Sequence, residues 1–418
     1  MLLTQVLVPL TLFGQSPLGP PPQTCPPNGV INYISTCPKH PHIIPAPGCT
    51  AKASTIRQPW AVGSLCHRAG DKEYCVYMLP NFNDGKGISF VTTSSVIRSF
   101  STLPHHDRWR STPNTANTPD LLEVKPIEGK GLGVVAANRT IRKNTRVMVD
   151  APGLMIEHGA FTKLRTEMLA DLIHEAASML PYPSREDFFA LSGAEGLLRN
   201  SKESALAIVG KNAFHTEIED IEFHAVFLDV SRVNHACSPN AAYHFDPLTM
   251  QKSLITVRDI HPGEELTIGY VDLTQPSQTR QASLSHWNFT CSCPRCTQTS
   301  RCQKESDART AQLVNIRNEL DQYDHGVQDG PGMAELLIIL YELEGLEARL
   351  HEAYYRAAIE FNGIGNRWEA IKFARLCLKR GLLLKDETRP FVGEMKALIE
   401  DAEGHWSWRF RLGVGHQD

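Results

Sequence analysis

The chain has 418 residues, 42% hydrophobic and 21% charged, with 42 Lys plus Arg against 46 Asp plus Glu. That balance excludes a wholly disordered chain and gives no electrostatic reason to expect direct nucleic-acid binding. Beyond the first 14 residues no apolar run approaches the ~20 residues that cross a bilayer, so two or three soluble folding units of about 100–200 residues are expected.

In chain order, residues 1–16 read as a signal peptide or an unprocessed apolar tail: MLLTQVLVPLTLFG is apolar, but Lys39 is the first basic residue. Residues 17–59 are a Pro- and Cys-rich arm, unsuited to helix interiors. Residues 60–120 form a small β-containing region and linker, in which YCVYML and ISFVTT flank the turn-rich NFNDGKG. From Leu121, VKPIEGKGLGVVAA and TRVMVDAP read as strands. Phe161, Leu164, Met168, Leu172, Ile173 and Ala176 mark one helical face across 161–180, and Ser184 with Asp187 is expected to cap a short helix. SLITVRDI and ELTIGY are further strands around His261-Pro262-Gly263. After Cys302, helices are expected at 307–324, 333–361, 366–384 and 388–403, with Gly363 and Gly365 at the corner of an antiparallel hairpin.

Three elements carry chemistry. Gly129-Lys130-Gly131-Leu132-Gly133 permits backbone geometry or close ligand approach that side chains would block, yet it is neither a Walker loop nor GxGxxG. Asn234-His235-Ala236-Cys237-Ser238-Pro239-Asn240 packs two amides, an imidazole and a thiol into seven residues, as a buried hydrogen-bonded knot or as a binding site. Cys291, Cys293 and Cys296 have the spacing of ligands to a soft tetrahedral ion such as zinc, and either Cys302 or Cys237 could supply the fourth thiolate. The N-terminal cysteines, Cys25, Cys37, Cys49, Cys66 and Cys75, suggest instead a disulfide framework, which belongs to a different redox compartment, and Cys377 stands alone.

Taken together, Gly-Lys-Gly-Leu at 129–132, NHACSPN at 234–240, GEELTIGY at 263–270 and FTCSCPRC at 289–296 resemble the successive signatures of SET-domain protein lysine methyltransferases. The resemblance covers Leu121 to about Cys302 and is to the SET and MYND-type branch in its fungal-type form without the MYND finger. It implies an α+β fold: a SET domain of small sheets (121–290) with a helical insert (about 155–225), a zinc-bound post-SET segment (291–302), and an all-α C-terminal region (303–418) of hairpins like a tetratricopeptide unit. It further implies that Lys130, Gly131, Leu132, Asn234, His235 and Phe289 contact S-adenosylmethionine, and that Cys237 joins Cys291, Cys293 and Cys296 around zinc. Tyr270 would be catalytic and would line the substrate channel with Trp287, which stands where the family usually has a tyrosine. The implied activity is methyl transfer to a lysine of a protein substrate; the alternative is an inactive SET-fold interaction module using its helical C-terminus. The resemblance points to nucleus or cytoplasm, the apolar start and Cys-rich arm to the secretory pathway.

Overall fold

The structure, a computed structural model, describes residues 60–103, 120–323, 327–381 and 390–412. The expectations for the first 59 residues and for most of the linker before 120 lie outside these. Thirteen strands and eleven α-helices are described.

The N-terminal strands are β1 (Ala61–Ala69), β2 (Lys72–Leu79) and β3 (Ile88–Thr93), followed by α1 (Ser94–Ser101). A hairpin of β4 (Leu122–Ile127) and β5 (Gly131–Ala136) comes next, then β6 (Arg146–Asp150) and β7 (Pro152–Glu157). The helical insert holds α2 (His158–Lys163), α3 (Thr166–Ser178), α4 (Ser184–Phe189) and α5 (Lys202–Asn212). It returns through the hairpin β8 (Ala213–Ile218) and β9 (Ile221–Phe227). Strands from both regions make one six-stranded sheet, ordered β1-β2-β3-β7-β9-β8, in which β3 and β7 pair in parallel. Every residue of ISFVTT and PGLMIE is buried, as expected of central strands covered on both faces. Residues 61–93, read from the sequence as a region of their own, thus share a sheet and an aromatic core with the later strands; the Phe90 and Phe223 rings lie 5.9 Å apart, edge to face. Cys66 and Cys75 face each other across β1 and β2 and form a disulfide.

Three expectations for the insert need correction. The single helix across 161–180 is broken, because Leu164 and Arg165 are extended between α2 and α3. Ser184 is the buried first residue of α4 and caps nothing; Pro183 occupies the cap position, without a side-chain hydrogen bond. The insert's last residues, 213–225, are strand rather than helix.

The short strands β10 (Asn234–His235), β11 (Ala241–Asp246), β12 (Gln251–Thr256) and β13 (Thr267–Ile268) complete the β structure. β11, β12 and β6 form one sheet, and β10 pairs in parallel with β13. In the first of these sheets Lys252 is 1% exposed, with its Nζ 4.4–4.7 Å from the ring centres of Phe214, Tyr243 and Phe227. After α6 (Ser277–Leu284) the chain is helical: α7 (Ser300–Leu320), α8 (Gly330–Leu343), α9 (Leu350–Gly363), α10 (Arg367–Gly381) and α11 (Pro390–Glu400). The one helix expected over 333–361 is two, divided at Gly345, whose φ is +66° and where a Cβ would sit 2.8 Å from the Ser238 Cβ. The hairpin at Gly363 and Gly365 is present, with Phe361 of α9 stacked on Phe373 of α10 at 5.3 Å. Among the described residues no helix is long and apolar enough to cross a membrane.

Candidate active site and thiol cage

The Sγ atoms of Cys237, Cys291, Cys293 and Cys296 all lie within 4.8 Å of one another. Cys302 is exposed, with its amide bonded to Thr299 Oγ1 in the first turn of α7, so Cys237 is the fourth member of the cluster. Local bonds present the sulfurs. Gln281 of α6 clamps Cys291 by both its amide atoms, donating to the carbonyl at 2.9 Å and accepting from the N–H at 3.0 Å. The Cys293 carbonyl then accepts from the amides of Cys296 and Thr297, closing a tight turn. Four thiolates crowded together repel: the neighbouring thiols hold Cys293 well below the usual thiol range, while Cys237 is pushed far above it. A cation between them resolves the conflict. Thiolates ~2.3 Å from a tetrahedral zinc ion are ~3.8 Å apart, and Cys237 and Cys296 stand at 3.5 Å, so the donor set fits zinc in chemistry and this pair comes close to it in spacing.

Two buried arginines oppose the negative charge of such a cage. Arg280 is fully buried; burial works against its charge, but the Cys237 and Cys296 sulfurs outweigh this and hold its pKa up. Arg295 donates to the carbonyls of Cys237 and Leu273 at 3.2 and 3.0 Å and to Thr310 Oγ1 at 2.9 Å, and pairs with Glu344 at 2.8 Å. Glu344 also takes Ser306 and Arg309 of α7, tying the cage to the helical region.

His235 joins the cage to Tyr270. Its Nδ1 accepts from the Tyr270 amide at 3.0 Å, which leaves the proton on Nε2, directed at Cys237 Sγ 3.3 Å away. Burial pushes its pKa down to about 4, so the ring is neutral. Both ring nitrogens are engaged inside the protein, and any contact of His235 with a cofactor falls to its backbone. The Tyr270 hydroxyl donates to the Val233 carbonyl at 2.8 Å, and burial, with the Glu265 charge, pushes its pKa up. Trp287 lies 5.4 Å from the Tyr270 ring, and its indole N–H is held by the Lys211 carbonyl at 2.8 Å. That carbonyl belongs to the last turn of α5, where helix acceptors lack partners of their own. Phe289 is 6.4 Å from the His235 ring.

The glycine turn meets the same motif. Gly131 has φ +78° and open space around it, so its need is conformational. Gly133 answers a different need: a Cβ there would stand 2.5 Å from Ile127 Cγ1, 2.7 Å from Asn234 Nδ2 and 3.0 Å from Glu265 Oε1. Asn234 donates to the Leu132 carbonyl at 3.2 Å and to Glu265 at 2.9 Å, and Lys130 pairs with the other Glu265 oxygen at 2.6 Å. Glu265 and Gly133 were missed in the sequence reading, although the second Glu of GEELTIGY and the third Gly of the turn were visible. Asn240 at the end of the motif serves packing: it is buried, donates to the Glu265 carbonyl and accepts from the Thr267 amide, both at 2.8 Å.

Residues 131–271 match the SET domain. The chain contains a SET domain. The matched segment holds Gly131, Gly133, Asn234, His235, Cys237, Glu265 and Tyr270, while Trp287, Phe289 and the other three cage cysteines follow it. Among its relatives, histone-lysine N-methyltransferase set5 of Schizosaccharomyces pombe is 31% identical over 197 residues, 47% of this chain and 56% of that protein. N-lysine methyltransferase SMYD2 of Bos taurus is 38% identical over 97 residues, 22% of this chain and 21% of that protein. SET domain and MYND-type zinc finger protein 6 of S. pombe is 40% identical over 77 residues, 18% of this chain and 15% of that protein. The chain therefore spans about half the length of the first relative and about a fifth or less of the others.

Proposed function

We propose that this SET-domain protein transfers a methyl group from S-adenosylmethionine to a lysine side chain of a protein substrate, with zinc in the thiol cage as a structural ion. The observation that carries the reading is the bracing of Tyr270: its amide is fixed by His235, its hydroxyl by Val233 and its ring lies beside Trp287. Two relatives, each sharing part of the chain, are named lysine methyltransferases. The backbone of Lys130 to Leu132, with Asn234, the backbone of His235 and Phe289, would hold the cofactor, which supplies a methyl group on a sulfonium.

The chain's own residues align and shield the reacting amine. Tyr270 and Trp287 would flank the aliphatic stem of the incoming lysine and exclude water, fixing the amine for in-line displacement. A free lysine has a pKa near 10.4 and must lose its proton first, and an apolar channel favours the neutral form. Because its pKa is raised, Tyr270 stays protonated at neutral pH and acts as a neutral positioning hydroxyl, not as a base. Trp287 fills the place of a second tyrosine without a hydroxyl, leaving one fewer hydrogen bond to the amine.

The test is to incubate the full chain with methyl-labelled S-adenosylmethionine and a lysine-bearing protein mixture, beside Tyr270→Phe. The parent should label protein, and the variant should be slower by about 10–100-fold with unchanged zinc content. Absence of both labelling and cofactor binding in the parent defeats the enzyme reading. A variant as fast as the parent removes the role given to Tyr270.

A further inference from the structure

On the outermost hairpin of the six-stranded sheet, β8 with β9, histidines gather without an assigned purpose. His158, the first residue of α2, places Nδ1 3.0 Å from Nε2 of His224 on β9, with the two rings stacked at 5.3 Å. Two nitrogens bound to one ion at ~2.0–2.1 Å, with angles between 90° and the tetrahedral value, lie ~2.9–3.4 Å apart. The pair already has that spacing. His215 is directly opposite His224 in the antiparallel register, so its side chain rises from the same face. Glu222 precedes His224 by two residues on that face, and its Oε1 is 3.6 Å from His215 Nε2. The Phe161 ring, 4.4 Å away, packs against His224.

We propose that His158 and His224, joined by His215 and Glu222, form a second metal site that takes a borderline divalent transition ion such as Ni2+ or Zn2+. Imidazole-rich sets suit such ions, whereas the thiol cage suits only the softer choice. His158 and His224 are the primary ligands. His215 completes the set by turning its exposed ring from Glu222 toward its cross-strand neighbour. An ion here would fasten the start of the helical insert to the hairpin through which the insert ends.

The test uses the full chain with its cage saturated by one zinc, titrated calorimetrically with Ni2+. One further ion per chain is expected, bound at least tenfold more weakly by His158→Asn and by His224→Asn, and several-fold more weakly by His215→Asn, with cage zinc unchanged in all. A parent that takes up no Ni2+ overturns the site and leaves the pair as a plain hydrogen bond. Uptake unaffected by His158→Asn overturns it too, by placing the ion elsewhere. Because His158 is exposed, that variant decides the matter even if His224→Asn folds poorly.

Discussion

Around Cys237 the chain is dry and charge-dense: four sulfurs, two buried guanidiniums and the buried Glu344 are matched within a few ångströms. Around Gly131 the chain stands in the open, and one carboxylate, Glu265, gathers the turn through Lys130 and Asn234. The first arrangement would tie binding of an ion to folding, because its charges are tolerable only together. The second leaves backbone exposed, as the proposed cofactor contact would need, and is held at few points.

The contrast can be tested by breaking each side in turn. With zinc in the cage as proposed, chelation, or replacing Cys293 with Ser, should have the largest effect, since structural zinc sites contribute about 10–16 kcal/mol in small peptides. The expected result is loss of the cooperative thermal transition of the segment bearing Trp287, followed by its fluorescence. Glu344→Gln comes next: it removes the carboxylate paired with buried Arg295 and should cost about 3–5 kcal/mol in urea unfolding, with Arg295→Met, Glu344→Leu together costing less. Gly133→Ala should cost about 1–3 kcal/mol from overpacking against Asn234 and Glu265, and should weaken cofactor binding at least tenfold, measured by calorimetry. Lys130→Met should be smallest, about 0–1 kcal/mol, because the pair is partly exposed. Equal losses for Glu344→Gln and Lys130→Met would erase the contrast between the two sides.

Much of the site could be read from the sequence because its parts are short and chemically dense. The cysteine spacing, the Asn-His motif and Tyr270 each lie within a few residues, and the structure brings them together through the two-residue pairing of β10 with β13. Spacing alone left Cys237 and Cys302 equal as fourth thiol; the start of α7, which turns Cys302 to solvent, separates them. Three-dimensional crowding is what the text of the chain hides. Gly133 matters through side chains about a hundred residues away, and Gly345, at the helix break, is hemmed in by Ser238 so that a Cβ there would clash. Nothing in QKSLIT marks Lys252 as a buried cation among three rings, since those rings come from three other strands. Periodicity likewise ran past the break at Leu164, because apolar spacing continues through it.

The parallel pairing of β3 with β7 sets a timetable. Ser89 meets Leu154, about 65 residues later, so at about 5–20 residues/s a ribosome delivers ISFVTT roughly 3–13 s before the strand that will cover its far edge. Until then the hairpin of β2 and β3 presents an uncharged strand edge of high β propensity, the kind that pairs with other chains. Slowed synthesis between residues 93 and 152 should therefore lower the soluble yield more than slowed synthesis within the helical C-terminus, whose neighbouring helices find their partners within a few tens of residues.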